Sequence, residues 1–369
     1  MHNENKVPLI RLAKRDMMEP WKVWCIRLAS IVLALLLGGL VMMIALPDGA
    51  TPIDGYATII TGALGKKTAI RQTVKLAVPL LGCALAIAPC FKMKFWNIGG
   101  EGQVLVGGLA SAACMICLGN KLPNGVVILC MIVASILAGA CWGFLPAFFK
   151  AKWNTNETLF TLMMNYIATQ LVAFFTIVWE VPKGSGKIGI INQNTNVGWL
   201  PQLFGSKYLL PIVVAVIVTV FMHIYLWYSK HGYEICVVGE SENTAKYVGI
   251  KVEKVIIRTM ILSGAICGLV GLLLVGGINH TVTTTIAGGQ GFTAVLVSWM
   301  SKFNPFTMIF SSLLIVFMDR GASEISTNFG LNHSYSDILT GIILFFIIGC
   351  EFFITYRLQF RKKTEKEEQ

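Results

Sequence analysis

Residues 209–228 read LLPIVVAVIVTVFMHIYLWY, a continuous run that contains no Asp, Glu, Lys or Arg. A transmembrane helix needs about 20 predominantly apolar residues to cross the hydrocarbon core of a bilayer. Stretches of the same character lie at Ile26–Leu46, Thr73–Cys90, Val126–Phe149 and Ile338–Tyr356. The sequence therefore predicts an all-α polytopic membrane protein.

The composition of the whole chain agrees with this prediction. Of its 369 residues, 55% are hydrophobic and 13% are charged, whereas soluble domains carry about 25% charged residues. The net charge of +11 does not indicate a nucleic-acid partner, because the basic residues lie between the apolar runs, where membrane orientation requires them. The first run lacks a small-x-small cleavage site, so we interpret it as a retained helix rather than a signal peptide.

We predict about ten transmembrane segments, of which the third and eighth are rich in glycine. A cytoplasmic segment (1–25) precedes the membrane domain (26–356), and a cytoplasmic tail (357–369) follows it. The predicted spans are 26–46, 72–90, 95–118, 125–149, 158–179, 209–229, 256–279, 286–301, 305–319 and 337–356.

The distribution of basic residues predicts the orientation of these spans. With both termini in the cytoplasm, 21 of the 30 Lys and Arg residues lie on the cytoplasmic side and nine lie outside, as the positive-inside rule requires. The cluster Lys66–Lys75 is the main exception, and it could flank a short extra helix in the first outer loop. The chain is therefore expected to be a multi-pass membrane protein with both termini in the cytoplasm.

Two loops between spans are long enough to have structure of their own. Residues 180–208 contain several Gly, Pro and Asn residues and predict an external loop. Residues 230–255 form the only sizeable internal loop. Within it, Ser241 is a good N-cap, Glu242 suits a first helical turn, and Gly249 suits the C′ position. This pattern predicts a helix of about two turns, which needs a docking surface because it is too short to be stable alone.

The stretch NIGGEGQ at residues 97–103 places a carboxylate and two amides at the start of an apolar span. Ionisable groups in a membrane are costly and usually face a cavity or a partner. Asn97, Glu101 and Gln103 are therefore candidates to line a translocation path. The alternative is an ordinary interfacial helix start in which Glu101 acts as a cap.

Residues 288–291 read GGQG and repeat the glycine pattern of residues 99–102, GGEG. In the predicted topology the two motifs run in opposite directions through the membrane. Inverted repeats with broken, glycine-rich helices are typical of transporters. The pattern therefore predicts inverted-repeat halves and adds Gln290 to the path.

The fifth span begins with NETL at residues 156–159 and carries a further amide, Asn165, about two turns later. Glu157 is favoured at a helix N-terminus by the macrodipole. Asn165 either bonds a neighbouring helix or faces the path.

No sequence pattern supports catalysis or nucleotide binding. The stretches at Gly62–Thr68 and Gly184–Ile188 fail the P-loop pattern in spacing or in the hydroxyl residue. The five histidines show no metal-ligand spacing, and we predict neither a catalytic site nor a metal site. Cys114 and Cys117 form an isolated CxxC in an apolar surround, and we expect no redox role.

The motifs together resemble the permeases of bacterial ABC importers of the branched-chain amino acid and simple-sugar type. Residues 97–103 resemble the family signature N-I-G-x-E-G-Q, and residues 156–167, 239–250 and 288–294 are similar to the nucleoside and sugar branch. The resemblance covers residues 55–355 in order. Gly100 and the segment Ser298–Ser301 depart from the family pattern, which bears on the substrate rather than on the fold.

The resemblance implies a type II ABC importer-like fold and a permease that has no ATPase site of its own. It implies that ATP and Mg²⁺ bind a cytoplasmic ATPase, and that this chain binds no cofactor. Further partners implied are a second homologous permease subunit, as a homo- or heterodimer, and an extracellular substrate-binding lipoprotein. The loop that would dock on the ATPase comprises Gly239, Glu240, Ser241, Glu242, Ala245 and Gly249.

The leading hypothesis is thus a permease that imports nucleosides or related simple sugars. An ion-coupled secondary transporter of a small polar solute is the alternative, since it would need no partner. A membrane-embedded enzyme is disfavoured because His, Asp and Glu are not clustered.

Overall fold

The computed structural model describes residues 10–15, 19–47 and 49–360, so parts of the predicted terminal segments 1–25 and 357–369 lie outside the described residues. Within the described ranges the chain is mostly helical. The α-helices are α1 (Pro20–Ala45), α2 (Pro52–Leu64), α3 (Lys67–Lys92), α4 (Gly100–Leu118), α5 (Asn124–Trp153), α6 (Glu157–Val178), α7 (Leu209–Tyr228), α8 (Lys230–Glu240), α9 (Glu242–Tyr247), α10 (Val252–Leu272), α11 (Gln290–Met300), α12 (Pro305–Asn328) and α13 (His333–Thr355).

Three shorter elements complete this list. A π-helical segment, Leu273–Asn279, continues directly from α10. Two strands, β1 (Ile10–Lys14) and β2 (Tyr356–Phe360), pair in antiparallel register with Ile10 opposite Phe360. The all-α prediction did not contain this pair of strands.

Nine helical segments in the described part of the chain are long and apolar enough to cross a membrane. The eighth predicted span, 286–301, differs from the prediction because its helix α11 has only 11 residues. The third predicted span begins later than expected, since residues 95–99 are not helical and α4 starts at Gly100. The short extra helix is confirmed as α2, which precedes the Lys66–Lys75 cluster.

Residues up to Lys66 and from Phe317 onward form one compact unit. Its buried apolar side chains come from α1, α2, α12 and α13 and include Met42, Ile59, Ile325 and Leu339. An ion pair between Arg27 and Glu351, with 2.6 Å between Nη2 and Oε1, links α1 to α13. Both side chains are partly exposed, so the pair contributes only modestly to holding α1 beside α13.

Residues 67–316 form the second compact unit, which contains the motifs singled out above. Its centre is a glycine seam, defined here as Gly107 on α4, Gly139 and Gly143 on α5, and Gly264 and Gly268 on α10. A Cβ atom added to Gly107 would collide with Gly268, and one added to Gly139 would collide with Gly264. Small residues let membrane helices approach to backbone contact, and the seam holds α4, α5 and α10 together in this way.

The long loop between α6 and α7 is held to this unit by specific contacts. The Trp199 and His280 rings stack with centroids 3.8 Å apart and an angle of 7° between their planes. The backbone N–H of Ile191 donates to the carbonyl of His280 at 2.8 Å. Burial and the nearby Lys207 ammonium both lower the pKa of His280, which favours the neutral, stacked imidazole.

Candidate translocation and coupling sites

The two glycine-rich motifs lie against each other where α4 and α11 begin. The Glu101 Oε1 atom accepts a hydrogen bond from the Gly289 backbone N–H at 2.8 Å, and its Oε2 accepts one from Gly291 at 2.8 Å. A Cβ atom on Gly291 would collide with the backbone of Glu101. The repeated pattern seen in the sequence is therefore a physical contact, and residue 291 must be glycine for it to form.

The negative charge of Glu101 at this junction lies where helix N-termini favour it. The N-terminus of a helix carries a partial positive charge and unsatisfied N–H groups. The carboxylate of Glu101 belongs to the first turn of α4 and bonds the first turn of α11. Hydrogen bonds to a carboxylate are stronger than those between neutral groups. The Glu101 carboxylate therefore stabilises the N-terminus of α11 while it lies in the first turn of α4.

Asn165 on α6 anchors the segment that leads into α4. Its Oδ1 accepts from the Gly102 N–H at 2.8 Å, and its Nδ2 donates to the Ile98 carbonyl at 2.9 Å. Both partners are backbone groups near the break between residue 95 and α4. Asn165 is buried and bonds a neighbouring helix, as the first of its two predicted roles requires.

The remaining predicted path residues lie around the same junction at different depths. Asn97 is fully buried, donates through Nδ2 to Ser263 Oγ at 3.1 Å, and accepts through Oδ1 from the Gly99 N–H at 3.0 Å. Gln103 is also buried, next to Gly143. Gln290, like Glu101, is only partly buried. The structure thus places Glu101 and Gln290 at the surface of the junction and Asn97, Gln103 and Asn165 behind it.

Two amide oxygens at this junction stand out because they are buried without a partner. The Oε1 atoms of Gln103 and Gln290 have no hydrogen-bond partner among the described residues. An unpaired buried polar atom costs about 1–3 kcal/mol. Each such atom calls for an explanation, such as a functional role or a bound water molecule.

The loop helix predicted from Ser241 and Gly249 is present as α9. Ser241 is its N-cap, and its Oγ accepts from the Thr244 N–H at 3.3 Å. Gly249 follows the helix at φ +82°, a left-handed conformation that glycine adopts without strain. The side chain of Ala245 is fully buried against its own unit.

A second helix, α8, precedes α9 where the sequence had predicted only loop. Its N-cap is Ser229, whose Oγ accepts from the Gly232 N–H at 3.1 Å. Gly239 faces the carbonyl of Lys92 at the end of α3, which leaves no room for a Cβ atom. These contacts place the α8–α9 pair against the end of a central helix.

An ion pair ties α8 to α10. Glu234 Oε2 lies 2.9 Å from Nη2 of Arg258 and 3.6 Å from Nδ1 of His231. Burial by itself raises the pKa of the Glu234 carboxyl, but hydrogen bonding and charge from Arg258 and His231 hold the pKa below its ordinary value. The carboxylate is therefore ionised throughout the physiological range.

The exposed face of α9 is defined by a residue that the sequence argument had not listed as a site residue. Tyr247 is 92% exposed and Val248 is also exposed, whereas Ala245 points inward. Glu240 and Glu242 are exposed as well. The sequence signal that could have identified Tyr247 is an aromatic residue followed by Val248, just before the C′ glycine of a short helix whose Ala245 points inward.

Comparisons with known proteins agree with one another. The family model described as "Branched-chain amino acid transport system / permease component" matches residues 69–348. A glucose ABC transporter permease protein of Haloferax volcanii is 26% identical over 363 residues, which are 95% of this chain and 93% of the relative.

Two bacterial relatives are named for nucleosides. A nucleoside ABC transporter permease protein of Lactococcus lactis is 28% identical over 329 residues, covering 87% of this chain and 89% of the relative. A guanosine ABC transporter permease protein of Bacillus subtilis is 28% identical over 324 residues, covering 87% and 91%. All three relatives are ABC permease subunits, so the ion-coupled alternative is not supported.

These findings give the chain a membrane setting and the role of a permease component, with the ABC ATPase as a separate partner. The matched family model covers most of the chain, including both glycine-rich motifs and the α8–α9 loop. The protein therefore belongs to the branched-chain amino acid transport permease family and is a membrane permease subunit of an ABC transporter.

Proposed function

We propose that this permease imports nucleosides, or the related simple sugars, across a bacterial plasma membrane. The observation that carries the proposal is the Glu101 junction, where two helix N-termini meet at a break in the helical structure. Broken helices whose N-termini point at a common site are the usual substrate sites of transporters. The relatives named for nucleosides, guanosine and glucose support the choice of cargo.

In this proposal the five path residues divide into two groups. Glu101 and Gln290 lie at the surface of the path, where they meet the solute. Asn97, Gln103 and Asn165 lie behind them and hold the start of α4 in position through buried hydrogen bonds.

We assign the transmission of the ATPase stroke to the α8–α9 loop, through Gly239, Glu240, Ser241, Glu242, Ala245 and Gly249. ATP and Mg²⁺ would bind the partner ATPase and not this chain. The exposed Tyr247 and Val248 give α9 an apolar face that a groove of the ATPase could bury, which is how amphipathic helices dock.

The remaining partners follow from the same proposal. A second homologous permease subunit would complete the path, and an extracellular lipoprotein would deliver the solute. Both termini would lie in the cytoplasm, as the excess of basic residues on that side indicates.

The proposal is tested with the chain co-expressed with its ATPase, second permease and binding lipoprotein, all reconstituted in vesicles. We expect uptake of labelled guanosine that requires ATP and is abolished when the ATPase cannot hydrolyse it. Uptake of glucose in preference to guanosine would move the assignment to sugars. Uptake driven by an ion gradient without ATP would contradict it altogether.

A further inference from the structure

The segment around α11 cannot face lipid in the way that a complete transmembrane helix does. The helix α10 and its π-helical continuation cross the membrane over 28 residues, and the chain then returns through α11. With 11 residues, α11 is about 16 Å long, against a hydrocarbon core of about 30 Å. The non-helical residues 281–289 therefore lie at membrane depth.

Irregular backbone at that depth is tolerated only where it is packed in protein or lines a water-filled cavity. In the second unit, Thr283, Thr285 and Gly288 of this segment are exposed rather than packed. The exposed side of the segment accordingly faces water, and α11 continues from it.

One side of α11 shares this exposure. Gly291, Ala294 and Ser298 are buried, and Ser298 Oγ donates to the Ala84 carbonyl on α3 at 3.1 Å. Phe292 and Trp299 lie on the opposite side and are exposed. The side of α11 that faces water therefore extends from the neighbourhood of Glu101 to Trp299.

A second tryptophan lies beside the first. The rings of Trp96 and Trp299 have centroids 6.0 Å apart and planes inclined at 31°. The buried Phe91 meets both rings edge-on, at 5.5 Å from Trp96 and 6.3 Å from Trp299. The two indoles are 45% and 48% exposed, so each is held from behind by Phe91 and keeps an open surface.

We propose that Trp96 and Trp299 form a stacking platform for the planar base of a nucleoside as it passes through the permease. This inference rests on the proposed function and makes the pair a determinant of specificity. Every nucleobase has a π face and can therefore stack on an aromatic side chain, whichever base it is. A free sugar has no π face, so it cannot make the π–π contact with the platform that a base makes.

The test uses the assembled transporter in vesicles with 2-aminopurine riboside, a fluorescent nucleoside whose emission falls when its base stacks. We expect quenching with the wild-type complex and with Trp299→Phe, which keeps an aromatic ring. Trp96→Leu and Trp299→Leu should lose the quenching and lower guanosine uptake by about fivefold or more, since stacking on one ring contributes about 1–3 kcal/mol per base.

Trp227→Leu is the matched control, because Trp227 is 56% exposed at the end of α7 and packs against Lys92 rather than Trp96. Equal loss of uptake in the Trp227 and Trp299 variants would mean that these tryptophans only anchor the protein at the membrane interface. Wild-type quenching in the double variant Trp96→Leu Trp299→Leu would overturn the platform. If the double variant does not assemble, quenching is compared between the wild-type complex and Trp299→Phe, which keeps an aromatic ring. A wild-type transporter that carries no nucleoside would instead refute the proposed function.

Discussion

The Oε2 atom of Glu101 lies 2.8 Å from the backbone nitrogen of Gly291, so the first turn of α4 is bonded directly to the first turn of α11. The two residues are 190 positions apart in the chain. Each belongs to one copy of the glycine-rich motif. We derive predictions for this junction first and then for the α8–α9 loop, which we propose docks on the ATPase.

Replacing Glu101 with Gln should disrupt the junction while preserving the size of the side chain. An amide has only one acceptor oxygen. One of the two N–H groups, that of Gly289 or that of Gly291, would therefore face the NH₂ donor of the amide and lose its hydrogen bond. Losing a hydrogen bond to a charged group costs about 1.5–3 kcal/mol, so we expect guanosine uptake to fall by about tenfold or more. Uptake by the reconstituted complex measures the effect.

Glu180 provides a closely matched control for this substitution. Its carboxylate also accepts from two glycine N–H groups, Gly184 at 2.7 Å and Gly186 at 2.9 Å, and these bonds lower its pKa. It is exposed in the loop between α6 and α7, however, where water can replace a lost bond. Glu180→Gln should therefore transport normally, and equal losses in the two variants would show that the junction has no special role.

Gly291→Ala should destabilise the protein because its methyl group would overlap the backbone of Glu101. Overpacking of this kind typically costs about 1–3 kcal/mol. We expect a lower unfolding temperature for the purified permease in detergent. Gly125→Ala is the control, since a Cβ atom at residue 125 would have no neighbour within 4 Å. An unchanged unfolding temperature for Gly291→Ala would show that α4 and α11 do not approach as closely as described.

Tyr247→Ala should weaken docking of the α8–α9 loop on the ATPase without destabilising the fold. The tyrosine is exposed, so its removal should leave the unfolding temperature unchanged while it weakens binding of the ATPase by about tenfold, the scale of an interface hot spot. Co-purification of the two subunits at graded salt and detergent measures this effect. Phe204→Ala removes a 98% exposed aromatic side chain from the other loop and should leave ATPase binding intact.

Ala245→Glu should behave differently from Tyr247→Ala, although both lie on α9. Ala245 is fully buried, so a carboxylate there must either be desolvated or force α9 away from its own unit. We expect both the unfolding temperature and ATPase binding to fall. A variant that lost binding at full thermal stability would place Ala245 in the interface itself.

The Glu234–Arg258 pair predicts how α8 responds to acid. Because the folded-state pKa of Glu234 is lowered, the pair stabilises α8 at pH above the unfolded-state pKa of about 4.3. This contribution is lost as the pH falls through the lower, folded-state pKa. Amide-exchange protection of α8, corrected for intrinsic rates, should be constant from about pH 7 to pH 5 and fall below about pH 4.

Glu234→Gln should reduce this protection at neutral pH and remove its dependence on acid. The pair between Lys152 and Glu253 is longer, at 3.4 Å, and both of its side chains are more than half exposed. Glu253→Gln should therefore leave α8 unaffected. An acid-dependent loss that persisted in Glu234→Gln would assign the effect to another group.

The sequence predicted the spans well because apolar runs and the motifs at helix starts are local signals. Ser241 and Gly249 specified α9 through capping alone, and Asn156 caps α6 with its Oδ1 3.1 Å from the Leu159 nitrogen. The helix α8 was missed because its N-cap, Ser229, follows immediately on the apolar run of α7. The polar residues that begin α8, Lys230 and His231, were interpreted as the start of a loop rather than as the first turn of a new helix.

The arrangement of the junction could be predicted only in part. The repeated glycine pattern indicated that residues 99–102 and 288–291 were related, but it could not indicate that they touch. Contact between positions so far apart in sequence depends on how α3, α10 and the glycine seam place them. For the same reason, the proximity of Trp96 to Trp299 could not be found from the chain alone, although Trp299 lies in the segment Ser298–Ser301, which departs from the family pattern.

The two copies of the motif differ at one position, where the first has Glu101 and the second has Gln290. An exact duplication of the first copy would bring two carboxylates to one junction, and like charges at short range disfavour ionisation of both. With Glu at both positions, only one of the two carboxyl groups could readily be ionised at a time. The amide at residue 290 therefore leaves Glu101 without a competing carboxylate from the second motif.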